Sequence, residues 1–178
     1  QTINLPATVF AMKADLSRRE LEVQKFWEDQ RIYDKLRQVA SGRPTFILHD
    51  GPPYANGTIH LGHAINKVLK DVVVKSRTLD GYDAPYVPGW DCHGLPIEHH
   101  IEKTRGKEVK ALPPREFRKA CREYGQSQVE AQRVDFLRLG VMGDWDHPYM
   151  TMQPFYEAEQ LRALAQILRN GHVYKGLK

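Results

Sequence analysis

Residues 53–63 of the chain read Pro53-Tyr54-Ala55-Asn56-Gly57-Thr58-Ile59-His60-Leu61-Gly62-His63. The proline and glycines of the first half predict a loop, and the second half opens a strongly helical segment. His60 and His63 lie three residues apart, so both side chains occupy one face of that helix start. A helix N-terminus carries unpaired N–H groups and a partial positive charge. The stretch therefore predicts a phosphate site, where Gly62 leaves a flat surface for an adenine ring.

A second interpretation of the same histidines stays open at this point. Two histidines at this spacing are also typical of surface or helix-capping residues, because short motifs often occur by chance. The chain contains neither a GxxxxGK[ST] phosphate loop nor a GxGxxG dinucleotide fingerprint. The neighbouring segments must therefore decide between the two interpretations.

The flanking sequence predicts one unit of a parallel α/β sheet. Thr45–His49 is short, apolar and β-prone, which indicates a buried strand. Ala84–Pro88 is a second strand candidate. Between them, apolar residues recur on one face of a predicted helix, at Leu61, Ile65, Val68, Leu69, Val72 and Val73. Strand, loop, helix and strand in this order predict parallel strands joined by a right-handed crossover.

Further helices are predicted on both sides of this unit. Ser17 and Glu20 have capping-box spacing, and an apolar stripe continues from them to Leu36. A long helix is predicted from Pro113 to Leu139, with a bend near Gly125. A final amphipathic helix is predicted over 155–170, followed by the start of a strand at 173–177. Its expected inward residues are Phe155, Leu161, Leu164, Ile167 and Leu168.

Composition limits the class of protein. The chain has 178 residues, 41% hydrophobic and 27% charged, with a net charge of +4. These values are typical of a globular domain, and no apolar run is long enough to span a membrane. No secretory signal is expected, and two cysteines without CxxC spacing indicate a reducing, cytoplasmic location and no zinc site.

A second long motif, Gly89-Trp90-Asp91-Cys92-His93-Gly94-Leu95-Pro96-Ile97-Glu98, narrows the interpretation. With it, the chain resembles the class I aminoacyl-tRNA synthetases of the isoleucine, valine and leucine subgroup. Residues 60–63 are similar to their HIGH motif, with Leu61 in place of isoleucine. The isoleucine-specific members are also similar at 50–57 and at Gly143-Asp144-Trp145-Asp146-His147-Pro148-Tyr149. The leucine members typically have an alanine-phenylalanine pair in place of Cys92-His93, and the valine members depart further, at Pro-rich and Gly-Thr-Asp positions.

The resemblance implies roles for particular residues. It assigns His60 and His63 to catalysis, residues 53–63 to ATP binding, and Gly51 and Pro52 to an apolar wall of the amino-acid pocket. Asp91 is implied to pair with the substrate α-ammonium group, since charge-assisted bonds are strong. Ordinary turn and loop roles are the alternatives at Gly51, Pro52 and Asp91. Weaker candidates for the site are Trp90, which is more often a core residue, His93 and Glu98.

The resemblance also implies the reaction and its components. Isoleucine would be activated by ATP with Mg²⁺ to an isoleucyl-adenylate and then transferred to its tRNA. The implied fold is the first half of a split Rossmann-like (HUP-type) parallel sheet flanked by helices, over 44–178, after an N-terminal helical extension over 1–43. The chain is expected to be an N-terminal fragment, inactive alone, that ends about where an editing insertion would begin.

The remaining features of such a synthetase are expected outside these residues. They are the KMSKS loop, the anticodon-binding part and the zinc ligands, in an enzyme expected to be a monomer without membrane contact. Two alternatives stay open from the sequence. One is a valine- or leucine-specific synthetase, and the other is a non-catalytic module that binds nucleotide or nucleic acid.

Overall fold

The computed structural model describes Val9, residues 13–106 and residues 112–177 of the chain. In these ranges, helices flank two short strands. The elements, in chain order, are α1 (Leu16–Asp29), α2 (Ile32–Ala40), α3 (Leu61–Leu79), β1 (Gly89–Trp90), α4 (Leu95–Arg105), α5 (Pro114–Arg138), β2 (Tyr149–Met150) and α6 (Pro154–Arg169).

Three extended segments run parallel to one another. The central one, residues 83–91, contains β1, which pairs in parallel with β2. On its other side, parallel bridges join Thr45 to Asp83 and Tyr54 to Asp91. Helix α3 connects the outer segment to the central one. The predicted strand, loop, helix and strand unit with a parallel sheet is confirmed, although the ladder is regular only at β1 and β2.

Large aromatic side chains form the core between this sheet and α5. Tyr86, Trp90 and Phe136 are fully buried, and Trp145 is 7% exposed. The Trp90 and Trp145 ring centroids lie 6.1 Å apart. Gly89 makes close strand packing possible, because a Cβ atom there would overlap the Tyr149 ring. The core therefore lies directly beneath the strand end that carries the 89–98 motif.

The predicted buried strand at Thr45–His49 is only half covered. Phe46 and Leu48 pack against the core, while Ile47 is 68% exposed. Successive side chains of an extended chain point to opposite faces, so only one face of this segment is covered. The second predicted strand is better placed, because Ala84 and Tyr86 are buried and β1 follows at once.

The apolar stripe of α3 points away from the core. The buried residues of this helix are Lys67, Asp71 and Val74. Each residue of the predicted stripe is at least 39% exposed, namely Leu61, Ile65, Val68, Leu69, Val72 and Val73. The stripe is a real periodic feature, but the opposite face of the helix is the one that packs against the sheet.

Helix α6 departs from prediction in the same way. None of its residues is buried, and those predicted to face inward are 45–74% exposed: Phe155, Leu161, Leu164, Ile167 and Leu168. No described segment covers them. Residues 173–177 form no strand in the described structure. No helix in the described ranges combines the length and apolarity needed to cross a bilayer.

Helix boundaries give smaller corrections. The predicted capping box is wrong, because Asp15 is the N-cap of α1 and Ser17 lies inside the helix. Helices α1 and α2 are separated at Arg31, whose backbone lies in the left-handed region. Helix α5 runs unbroken through Gly125, which is buried where a Cβ would approach the Met152 sulfur at 3.8 Å. A Cβ atom at that distance would make ordinary van der Waals contact, and the helix is continuous at the position where a bend was predicted.

Candidate functional site

A cavity of about 300 Å³ lies between the 51–53 loop and the beginning of α3. It brings Gly51 and Pro52, two of the three predicted amino-acid-binding residues, together with both motif histidines. A helix start, a proline-rich wall and one lysine thus share a single concave site. The residues that line it are Gly51, Pro52, Pro53, His60, Gly62, His63, Asn66, Lys67 and Phe136.

The two histidines cap the helix through each other's backbone. His60 is the N-cap residue of α3, and its Nδ1 accepts a hydrogen bond from the His63 N–H at 3.4 Å. In return, His63 Nδ1 accepts from the His60 N–H, also at 3.4 Å. Their rings stack with centroids 3.8 Å apart. The capping interpretation of the histidines is therefore confirmed, and it does not exclude the phosphate site.

This arrangement fixes which ring nitrogen can donate to a ligand. In a neutral imidazole one nitrogen accepts and the other carries the proton. Because both Nδ1 atoms accept from backbone N–H groups, the protons belong on the two Nε2 atoms. Burial, the nearby His60 and the charge of Lys67 lower the pKa of His63 below its ordinary value. His63 is therefore a neutral Nε2–H donor near neutral pH, and the stronger protonated form is disfavoured.

Gly62 has a different use from the one predicted. A Cβ atom at this position would lie 2.9 Å from His60 Cε1 and 3.0 Å from its Nδ1. The missing side chain therefore makes room for the His60 ring to fold back over the helix start. Gly62 stays exposed and lines the cavity, so the surface predicted for an adenine ring stays a prediction.

A buried charge cluster lies directly behind the cavity. Asp50 is 1% exposed and Lys67 is 2% exposed, and the two form an ion pair. Asp50 Oδ1 also accepts from Lys70 Nζ at 2.5 Å, and Oδ2 accepts from the Gly89 N–H at 3.0 Å. Lys67 Nζ donates further to the Tyr86 hydroxyl at 3.0 Å. One carboxylate thus ties the 50–53 loop to α3 and to β1.

The charge state of Asp50 follows from these partners. Burial acts to raise the pKa of the Asp50 carboxyl, but attraction to Lys67 and the bonds from Lys67, Lys70 and the Gly89 N–H outweigh it. The net effect lowers the pKa of Asp50, so the carboxylate stays charged. Removing Lys67 would leave the buried carboxylate with only Lys70 and the Gly89 N–H, and the loss of a partner from a buried charge is the costly case.

Sequence reasoning missed Asn66, Lys67 and Phe136 as lining residues. A signal for Lys67 was present, because it follows His63 by four residues and therefore shares its helix face. The apolar stripe on the other side of α3 is the stronger periodic signal in the sequence, and the polar face carries the weaker one.

Asp91 lies beside the cavity without lining it. Its N–H donates to the Pro53 carbonyl at 2.8 Å, and its own carbonyl accepts from the Ala55 N–H at 2.8 Å. Its Oδ1 accepts from Thr151 Oγ1 at 3.3 Å and from the His93 N–H at 3.4 Å. Backbone pairing therefore fixes Asp91 next to the proline-rich wall, while its carboxylate faces the 149–151 strand.

Tyr149 ties β2 to the loop that begins at Asp50. Its hydroxyl donates to the Asp50 carbonyl at 2.5 Å. Burial, together with Asp50, Tyr156 and Asp91, raises the pKa of Tyr149 to about 12. The phenol is therefore a permanent hydrogen-bond donor, and it holds the Asp50–Gly51 peptide in place.

The weaker candidates lie outside the cavity. Trp90 is fully buried and its Nε1–H donates to Gln132 at 3.0 Å, so its side chain belongs to the core. The direct ligand role considered for Trp90 is not supported. His93 Nε2 lies 3.1 Å from the Thr151 carbonyl and 3.3 Å from Glu157 Oε1, toward α6. Glu98 is exposed on the first turn of α4.

The remaining residues of the predicted ATP loop differ in what they can offer. Ala55 is fully buried, so only its backbone is available, while Tyr54 is 51% exposed. Gly57 has φ +75°, a conformation that favours glycine. In the described ranges, no group of three or more histidine, cysteine or acidic side chains could hold a metal ion.

Parallel segments joined by a helix whose start faces a cavity define a Rossmann-like nucleotide-binding arrangement. Residues 22–178 match the family model of the class I tRNA synthetases (I, L, M and V). The chain belongs to this family.

Curated relatives match the chain over nearly its whole length. It is 58% identical to the isoleucine–tRNA ligase of Nitrosomonas europaea, over 100% of this chain and 19% of that protein. It is 60% identical to the isoleucine–tRNA ligase of Pseudomonas paraeruginosa, over 99% of this chain and 18% of that protein. The chain thus spans about a fifth of the length of the relatives it matches.

Among solved structures, one that matches is the LeuRS of Agrobacterium radiobacter K84 in a ternary complex with tRNA and LeuAMS. The match covers 91% of this chain and 19% of that one, with a TM-score of 0.68 and 24% sequence identity. At this identity the match supports the fold alone. It agrees with the parallel, Rossmann-like arrangement described above.

Proposed function

We propose that the chain is the N-terminal part of an isoleucine–tRNA ligase and carries the half of the active site that contains the HIGH motif. Identities of 58–60% to proteins of that name, across the whole chain, support the specificity. The observation that carries the chemistry is the shared cavity of His60, His63, Gly51 and Pro52. Residues 44–178 are proposed to be the first half of a split nucleotide-binding fold, with 1–43 as a helical extension.

The proposed first step is adenylate formation. An oxygen of the isoleucine carboxylate attacks the α-phosphorus of ATP, the bond to the bridging oxygen breaks, and pyrophosphate leaves with the electron pair. The carboxylate is already a nucleophile, so the step needs no general base. The protein must align the reactants and offset charge on the phosphates.

The histidine pair suits this task. With both Nδ1 atoms held by backbone N–H groups, the Nε2–H groups of His60 and His63 are available to phosphate oxygens. The N-terminal end of α3 adds its partial positive charge in the same direction. Mg²⁺ bound to the triphosphate would supply further charge neutralisation, with no need for a metal cluster in this part of the chain.

Asp91 is proposed to bind the α-ammonium group of isoleucine. Its backbone bond to Pro53 holds it near the apolar wall, and Thr151 and the His93 N–H orient its carboxylate. Gly51 and Pro52 would contact the branched aliphatic side chain. In the second step, the adenylate carbonyl is attacked by a ribose hydroxyl at the tRNA 3′ end, and AMP leaves.

The test is ATP–pyrophosphate exchange by the full-length protein with isoleucine, valine and leucine. We expect isoleucine to be preferred over valine by about 10- to 200-fold, the range that one methylene group gives in an apolar pocket. Isoleucine enzymes are among the proteins on which that range was established. Preference for valine or leucine would overturn the specificity. Nucleotide binding without exchange with any amino acid would favour a non-catalytic module.

The full-length protein is also proposed to be monomeric and cytoplasmic. Sedimentation tests the first property and cell fractionation the second.

A further inference from the structure

One fully buried side chain on α5 connects the two motifs of the site. Gln132 is 0% exposed, and its Nε2 donates to the Tyr54 carbonyl at 3.1 Å and to the Gly57 carbonyl at 2.9 Å. Its Oε1 accepts from Trp90 Nε1 at 3.0 Å. Both donor hydrogens of this amide are therefore used on one loop, and its acceptor on the other motif.

Helix α5 holds the same loop at two further points. Gln128 Oε1 accepts from the Gly57 N–H at 2.9 Å, and the Tyr124 hydroxyl donates to Asn56 Oδ1 at 2.7 Å. Tyr124, Gln128 and Gln132 are four residues apart, so they form one row along the helix. This row fixes both sides of the peptide at Gly57, which precedes His60 by three residues.

The bond to Trp90 gives Gln132 a second connection. Trp90 comes immediately before Asp91, whose backbone pairs with Pro53 and Ala55. The amide of Gln132 thus sets the spacing between the loop that leads to the histidines and the strand end that carries Asp91. Gln132 does not line the cavity, so any effect on a ligand must pass through these backbone groups.

We propose that Gln132 is a positioning residue for nucleotide binding, which holds the 54–57 loop so that the helix start of α3 presents its donors to phosphate. This inference rests on the proposed function. A buried amide that meets two carbonyl oxygens can be replaced only by a group that donates twice in the same direction. The donors of this row bond to the 54–57 loop, which leads to the histidines, while the amino-acid wall at 51–52 keeps its own support from Asp50.

The test compares Gln132→Glu with Gln126→Glu in the full-length protein. Glutamate keeps the acceptor for Trp90 but loses both donors and places a carboxylate against two carbonyl oxygens. We expect the KM for ATP to rise about 10- to 100-fold, as for a small misplacement of the site, while the KM for isoleucine changes far less. Gln126 is exposed on the same helix and bonds only to Glu130 in the described structure, so its variant should behave as wild type.

The pH profile separates positioning from general structural damage. A buried glutamate has a raised pKa, so lowering the pH converts it to a carboxylic acid that donates one hydrogen bond. The ratio of kcat/KM for ATP between Gln132→Glu and wild type should therefore recover as the pH falls. Loss that is equal for ATP and isoleucine, or that does not vary with pH, would overturn the inference.

A second variant covers the case in which Gln132→Glu fails to fold. Gln128→Ala removes the acceptor of the Gly57 N–H and a long bond to Ser127 Oγ at 3.5 Å on the exposed side of the helix. We expect the Kd for ATP to rise about two- to tenfold, the value of the one hydrogen bond to the loop. Calorimetric titration with ATP alone measures this without any amino acid. An unchanged Kd would overturn the inference. Absence of isoleucine-dependent exchange in the wild type would instead reject the proposed function.

Discussion

The two faces of helix α3 reverse the usual pattern of a surface helix, which buries its apolar face and exposes its polar one. The face that packs against the sheet carries His60 at the cap, then His63, Lys67, Asp71 and Val74. The opposite face is almost entirely aliphatic and exposed, at Leu61, Ile65, Val68, Leu69 and Val72. Polar groups are thus buried where they serve the site, and apolar groups are left facing outward.

The inward face is stable because its charges are compensated. Asp50 forms an ion pair with Lys67. Asp71 accepts hydrogen bonds from Lys75 at 2.5 Å and from the Met142 N–H at 2.9 Å. Buried charges persist in proteins only with such partners. Polarity alone therefore does not identify the exposed side of α3.

The largest effect is expected on the inward face. Lys67→Met leaves the Asp50 carboxylate buried without its main partner, and we expect a loss of about 3–5 kcal/mol in the free energy of unfolding. Urea denaturation measures it. The double variant Asp50→Asn with Lys67→Met should recover most of the loss. Lys25→Met, which breaks a pair in which the lysine side chain is 75% exposed, should cost at most about 1 kcal/mol. Equal losses for Lys67→Met and Lys25→Met would contradict the prediction.

His60, the N-cap residue of α3, should control the reaction rate. We expect His60→Ala in the full-length protein to lower kcat for ATP–pyrophosphate exchange by about 100- to 1000-fold, the effect of removing one preorganised donor to developing charge. His172→Ala, at an exposed loop position, is the matched control and should retain wild-type rates. Near-normal exchange by His60→Ala would mean that its ring serves only to cap α3.

The outward face should govern association. An exposed aliphatic stripe promotes contacts between copies, so we expect the 178-residue chain to associate with rising concentration. Leu69→Glu should weaken this association by about tenfold or more, as expected for a lost leucine contact. Sedimentation velocity measures the effect. Val134→Lys changes an equally exposed apolar residue on α5 and should have no such effect. A monomer at every concentration would contradict this prediction.

The smallest effect concerns pH. The pKa of His63 is lowered in the folded state, so the unfolded chain binds more protons as the pH falls. The contribution of His63 is complete above about pH 6.5, the ordinary histidine pKa, and is lost as the pH falls toward the folded-state pKa. The His63→Gln variant should therefore lose less stability than wild type below that pH, in urea denaturation at a series of pH values. Parallel pH curves would count against the assignment.

Much of the site could be predicted from the chain because it is local. The loop, helix start and glycines of 53–63 specify backbone geometry within a few residues, and the structure places both histidines on one cavity with Gly51 and Pro52. The parallel order of segments also followed from strand, helix and strand signals in sequence order. Residues joined by short-range geometry need no knowledge of the rest of the fold.

Features that depend on distant neighbours could not be predicted in the same way. The inward face predicted for α6 was wrong, and no buried face was predicted for α3, because periodicity identifies a stripe but not what covers it. Gln132 lies 78 residues from Tyr54, and nothing in local sequence joins them. The buried state of Lys67 depends on Asp50, 17 residues away in the chain.

The sequence by itself determined the helix cap, the glycine-dependent turns and the membership of a synthetase family, since each resides in consecutive side chains and their own backbone. Only the tertiary structure decided which face of α3 is buried, which carboxylate neutralises its lysine and which glutamine holds the 54–57 loop. These outcomes depend on whether each buried polar group finds a partner that offsets the cost of removing it from water. Packing between segments distant in the chain decides which partners are within reach.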